Sequence, residues 1–187
     1  MANLTRFEGR GIGRRSLLRA GAAGLLGLAL PRRARAARGA ERALHFYQTH
    51  TGESTRATYF AGGEYLPEGL ARIDRALRDH RSGEVHPIDP RLLELLYDLA
   101  AALDTREPIH VISGYRSAAT NAMLAALSPG GVSPRSLHLQ GQAIDLRIPG
   151  RSLAALRRAA LALRAGGVGS YPGPDFVHVD VGRVRAW

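Results

Sequence analysis

The chain has 187 residues, 45% of them hydrophobic and 22% charged, and it contains no cysteine. That length suits one domain of ordinary globular composition, and the missing thiols exclude disulfides and cysteine catalysis. The net charge of +10 reduces to +3 beyond residue 36, because residues 1–36 carry eight arginines and one acid. All 26 basic residues are Arg, so the charge reads as compositional bias and not as a nucleic-acid footprint. No run reaches the ~18 consecutive apolar residues of a membrane span.

The first segment reads as an address. Gly13-Arg14-Arg15-Ser16-Leu17-Leu18-Arg19 resembles a twin-arginine export motif. A weakly apolar stretch, Ala20 to Leu30, follows and suits the apolar region of a signal peptide. Ala34-Arg35-Ala36 has the small residues that a signal peptidase reads, which places cleavage after Ala36. The expected organisation is a signal peptide over 1–36 and one domain over 37–187, working in the periplasm or cell envelope.

Along that domain, Ala43 to Tyr47 and Ser54 to Phe60 read as strands around a turn at residues 50–53. Leu66, Leu70, Ile73 and Leu77 recur at helical spacing and predict a helix from Leu66 to His80. Asp89 is placed to cap the next helix, with Pro90 at its first position. Leu92, Leu93, Leu96, Leu99 and Leu103 give that helix a strongly apolar, core-seeking face. Ile109 to Ser113 predicts a strand, and Ala118 to Leu127 a helix stopped by Ser128-Pro129-Gly130-Gly131. Ala143 to Leu146, Gly167 to Ser170 and Phe176 to Val181 predict strands, with a helix from Ser152 to Ala165 between the first two. The expected class is α+β, a small, mainly antiparallel sheet with packed helices.

Two segments carry chemistry. Ser136-Leu137-His138-Leu139-Gln140-Gly141-Gln142-Ala143-Ile144-Asp145 reads as a loop entering a strand, with His138 on the loop and Asp145 on the strand. Further on, Phe176, His178 and Asp180 share one face of the last strand, and Val177, Val179 and Val181 share the other. Two imidazoles and a carboxylate suit a catalytic zinc ion, which keeps a fourth position for water. His178-x-Asp180 with a distant His also matches the facial triad of iron oxygenases. In those enzymes the partner His lies downstream, and only seven residues follow Asp180.

These motifs are similar to those of the zinc D-alanyl-D-alanine carboxypeptidase and murein endopeptidase family, whose fold is shared with the hedgehog signalling domain. The likeness is to its exported, YcbK-like branch, and it extends in outline from Ala43 to Trp187, including Ser113-Gly114-Tyr115-Arg116-Ser117. The resemblance implies one Zn²⁺ held by His138, Asp145 and His178. It implies that Asp175 is the general base and that Arg116 meets the substrate carbonyl or carboxylate. Asp180 is the rival base, or an acceptor that orients a ligand. Ser136, Tyr115 and Ser113 are placed around the metal or the substrate. The expected function is hydrolysis of peptide cross-links between peptidoglycan stems. The alternatives are a D-Ala-D-Ala carboxypeptidase and a non-catalytic, zinc-containing wall-binding module. Gly141 is expected to adopt an unusual backbone angle, and Trp187 to dock on the fold rather than bind ligand. His45, His50, His80, His86 and His110 lack ligand-like spacing and read as surface or structural.

Overall fold

The computed structural model describes residues 41–127 and 132–187. The expected signal peptide and the helix stop at residues 128–131 lie outside the described residues. Period-two alternation builds β1 (Arg42–Gln48) and β2 (Ser54–Ala61). Leu44 and Phe46 turn inward from β1, and Ala57 and Tyr59 from β2. The two strands pair antiparallel, and β3 (Glu64–Tyr65) adds a short edge to β2. Two residues are too few for alternation to announce a strand.

The first helix, α1 (Pro67–Ala76), is shorter than its periodicity predicts. Beyond Ala76 the backbone finds tertiary partners. The Leu77 carbonyl accepts the Tyr115 N–H at 2.7 Å, and the Asp79 carboxylate accepts the N–H groups of Arg81 and Ser117, each at 2.9 Å. Those bonds replace the next turn of the helical ladder.

Asp89 caps α2 (Pro90–Ala102) by accepting the Arg91 N–H at 2.9 Å, with Pro90 in the first turn, as the sequence predicts. This helix buries Leu92, Leu93, Leu95, Leu96 and Leu99. At about 2 kcal/mol for each fully buried leucine, it is the principal core element beneath β1.

The remaining elements are β4 (Ile109–Ser113), α3 (Ala118–Leu127), a 3-10 turn at Leu137–Gln140, β5 (Ala143–Arg147) and α4 (Leu153–Leu163). They are followed by β6 (Gly167–Tyr171), β7 (Phe176–Asp180) and β8 (Arg185–Ala186). Ser152 caps α4 by accepting the Ala155 N–H.

The strands form one sheet in the order β3-β2-β1-β4-β5-β7-β6-β8. Every neighbouring pair is antiparallel except β1 with β4 and β6 with β8. The α+β class and the mainly antiparallel sheet hold. The sheet is wider than expected, by the short strands β3 and β8. Among the described residues, no helix is long and apolar enough to cross a membrane.

Candidate metal centre

The register of the central strands assembles the site. Ser113 of β4 lies opposite Asp145 of β5, Asp145 opposite His178 of β7, and His178 opposite Gly169 of β6. Asp145 and His178 are thus direct cross-strand neighbours although 33 residues separate them. Val177 and Val179 fill the core face of β7, as its alternation predicts. The opposite face is buried as well, so His178 and Asp180 are 9% and 0% exposed.

His138 arrives on the 3-10 turn that precedes β5. The Ser136 hydroxyl caps this turn by accepting the His138 N–H. Gly141 ends it with φ of +63°. A side chain there would be strained, and its Cβ would lie 2.3 Å from the Pro87 carbonyl oxygen. The unusual angle expected at Gly141 is present, and a close backbone approach reinforces the need for it.

Three ligand atoms converge. His178 Nδ1 is 2.8 Å from Asp145 Oδ1 and 3.2 Å from His138 Nε2, and His138 Nε2 is 3.3 Å from Asp145 Oδ1. Tetrahedral zinc with bonds of about 2.0–2.2 Å holds its ligand atoms roughly 3.3–3.6 Å apart; the two separations to His138 Nε2 approach that range, and the Asp145–His178 pair is at hydrogen-bond distance. The outer nitrogens are also engaged. His138 Nδ1 donates to the Gly114 carbonyl at 2.7 Å, and His178 Nε2 donates to Asp180 Oδ2 at 3.1 Å. Each bond fixes the tautomer that leaves the inner nitrogen free as a ligand.

Burial alone would raise the Asp145 carboxyl, but His138 and His178 outweigh it and hold the group below the usual carboxylate range. Burial pushes the His178 imidazole down, and the carboxylates of Asp145 and Asp180 raise it above its ordinary value. A divalent cation would take over the role of that proton and be held by the same negative charge.

Arg116 lies beside this group. Its NH2 is 3.6 Å from Asp145 Oδ2 and donates to Ser113 Oγ at 3.3 Å, while NH1 donates to Asn121 Oδ1 at 3.4 Å. Burial lowers its guanidinium pKa, and the nearby Asp145 acts in the opposite direction. The Arg116 N–H is bound to the His138 carbonyl at 3.1 Å, which ties the arginine loop to the histidine turn.

The two candidate bases differ sharply. Asp180 is saturated: Oδ1 accepts from Gly167 N, Gly182 N and Arg185 NH1, and Oδ2 from His178 Nε2 and Arg185 NH2. Those bonds outweigh burial and hold it below the carboxylate range. Because Asp180 binds the outer nitrogen of His178, it does not join the three converging atoms, which removes the His178-x-Asp180 version of the facial triad. Asp175 sits on the β6–β7 turn with φ of +58°, and its carboxylate pairs with Arg147 at 3.2 Å.

A cavity of about 290 Å³ opens over the ligand atoms, lined also by Arg116, Tyr171, Arg185 and Trp187. Ser136 lines it, whereas Ser113 lies behind Arg116. Tyr115 is packed beneath the arginine loop. It stacks on His86 and donates its hydroxyl to Glu84 at 2.7 Å, which pushes its pKa up to about 12. Trp187 docks on the fold as expected, and it also borders the cavity, a role the sequence reading did not assign. Asp79 was missed as well. Its carboxylate holds Ser117, directly after Arg116. A lone acid in a loop carries no local signal of such a contact.

The match to known proteins covers the same region. A family model described as Peptidase_M15_2, Peptidoglycan L,D-endopeptidase MepK, matches residues 36–187. Peptidoglycan L,D-endopeptidase MepK of Escherichia coli K12 is 47% identical over 146 residues, covering 78% of this chain and 80% of the relative. The protein of the same name in Shigella flexneri matches to the same extent. Probable peptidoglycan L,D-endopeptidase MepK of Haemophilus influenzae is 42% identical over 147 residues, covering 78% of each. With the matched region containing the whole His138, Asp145 and His178 cluster, this chain belongs to the Peptidase_M15_2 family of metallopeptidases.

Proposed function

We propose that the chain is an exported zinc enzyme that hydrolyses L,D cross-links between peptidoglycan stems. It is a murein endopeptidase of a metal-dependent family. The zinc identity, the L,D bond and the export route are the added steps. The observation that carries the reading is the convergence of His138 Nε2, Asp145 Oδ1 and His178 Nδ1, each within 3.3 Å of the others.

Zinc held by these groups supplies Lewis-acid polarisation of the scissile carbonyl and acidification of water. Arg116 aims charged donors at the place where negative charge develops on the carbonyl oxygen. Contacts of this kind contribute ~3 kcal/mol of barrier lowering. The family resemblance gives Asp175 the task of taking a proton from the attacking water and returning it to the departing amine as the C–N bond breaks, although its carboxylate is not among the groups that line the cavity. To do so it leaves Arg147, with 61% of its side chain exposed. Exposed pairs of this kind contribute about 0–1 kcal/mol, so the release costs little. Asp180 stays in place and orients His178.

The resemblance of residues 13–19 to an export motif supports a periplasmic or envelope location, and the family match beginning at residue 36 supports a domain boundary there. The test is digestion of purified sacculi by the mature protein, with and without chelator, with mass spectrometry of the muropeptides and metal analysis. Chelator-sensitive loss of L,D cross-linked dimers, with one zinc per chain, is expected. Stoichiometric zinc with an unchanged muropeptide profile favours the wall-binding module instead.

A further inference from the structure

The segment after β7 is built into the metal site more deeply than the proposed chemistry uses. Arg185 grips Asp180 with two donors and places its guanidinium carbon 4.7 Å from the Trp187 ring. The Trp187 indole lies 5.3 Å from the His178 ring and donates Nε1–H to the Tyr171 hydroxyl at 2.7 Å. Tyr171 in turn stacks on Phe176 at 4.7 Å. The backbone of Trp187 is pinned to β6 in both directions, N–H to the Val168 carbonyl at 3.1 Å and carbonyl to the Ser170 N–H at 3.2 Å.

The neighbouring strand makes room for the ring. A Cβ on Gly169 would lie 2.6 Å from the indole, so glycine is what lets the ring rest against β6. Despite these contacts Trp187 remains 46% exposed, and it borders the cavity over the ligand atoms. Burying a tryptophan is strongly favourable, so a well-anchored indole left half open beside reacting groups calls for an occupant. Its one polar group is already satisfied by Tyr171. What it offers is therefore apolar and π surface, while charge is met elsewhere in the cavity by Arg116, Arg135 and Arg185.

We infer that Trp187, supported by Tyr171 and Gly169, is a substrate-contacting specificity residue that packs against the aliphatic side chain of the stem residue flanking the scissile bond. This rests on the peptidase reading above. The methylenes or methyl of that residue lie on the indole while its carboxylate or carbonyl faces Arg116. A ligand of that mixed chemistry fits a cavity with three arginines and an indole on its lining.

Trp187 is the only tryptophan in the chain, so its fluorescence reports this contact directly. The zinc-loaded protein is titrated with the uncross-linked tetrapeptide stem, with mass spectrometry of the titrated stem to verify that it is recovered intact. A saturable change in emission is expected. In parallel, Trp187→Ala and Trp187→Phe are assayed on a cross-linked dimer. Trp187→Ala should raise KM about tenfold, the equivalent of one aromatic contact, with the larger part of the loss in KM and not kcat. Trp187→Phe should recover much of it, and zinc content should match the wild type in both.

Wild-type KM in Trp187→Ala overturns the inference, as does an emission that the stem leaves unchanged while the wild type cleaves the dimer. Loss of zinc from Trp187→Phe overturns it too, because the ring is then a structural prop. If the emission responds but the wild type cuts no dimer, the subsite stands and the endopeptidase reading fails.

Discussion

The two ends of β7 carry the same residue type in opposite states. Asp180, at the far end, is fully buried and accepts five hydrogen bonds. Asp175, on the turn before the strand, is largely exposed and, among the described residues, pairs with Arg147 alone. A carboxylate held by five donors is rigid and weakly basic, which suits the orientation of His178. A carboxylate on an exposed turn, tied to a single arginine, stays accessible to solvent. Position in the fold, not chemical identity, sets the two states.

The largest effect that tests this division comes from Asp175→Asn. It should reduce kcat on a cross-linked dimer by about 10³-fold while metal analysis finds zinc at the wild-type level. Near-normal turnover would transfer the base role elsewhere and collapse the comparison. Asp180→Asn should act through the metal instead. Zinc affinity should fall about 10–100-fold, measured by competition with a chelator, and activity should recover substantially at saturating zinc. If it behaved like Asp175→Asn, the two ends of the strand would not differ in kind.

A smaller change sharpens the account of Asp175. Arg147→Ala removes its partner, and because exposed pairs are worth about 0–1 kcal/mol, kcat should change by less than about fivefold. A hundredfold loss would show that Arg147 itself meets substrate or base.

The smallest effect concerns acid stability, which should arise away from β7. Burial, with His50 stacked 3.9 Å away, lowers His80 to about 4. The folded protein therefore declines a proton that the unfolded chain binds below about 6.5. Stability from this source is intact above that pH and is lost as pH falls toward 4. Between pH 7 and 5 the wild type should lose about 1 kcal/mol more than His80→Gln, read from denaturant melts. Equal losses would place the acid-sensitive step elsewhere.

Much of the fold was legible because local signals agreed. Alternation marked β1, β2 and β7, and Asp89-Pro90 before the leucine-rich stretch marked the start of α2. The misses share one cause. The end of α1, the strands β3 and β8, and the role of Trp187 all depend on partners distant in sequence, such as Tyr115 for Leu77 and Val168 for Trp187. Short segments carry too few residues for periodicity to register such pairings.

By itself the sequence determined the chemical inventory: two histidines and a carboxylate as a ligand set, an arginine loop, and acids on either side of the last histidine. Side-chain chemistry suggests which residue types can hold a metal, and the resemblance of the motifs to a known family implies which positions fill those roles. Only the tertiary structure decided which acid is locked and which is exposed, and that an indole borders the cavity. Those outcomes depend on strand register and burial. Register sets Asp145 beside His178 and Gly169 beneath Trp187, and burial converts one aspartate into a scaffold while leaving the other exposed.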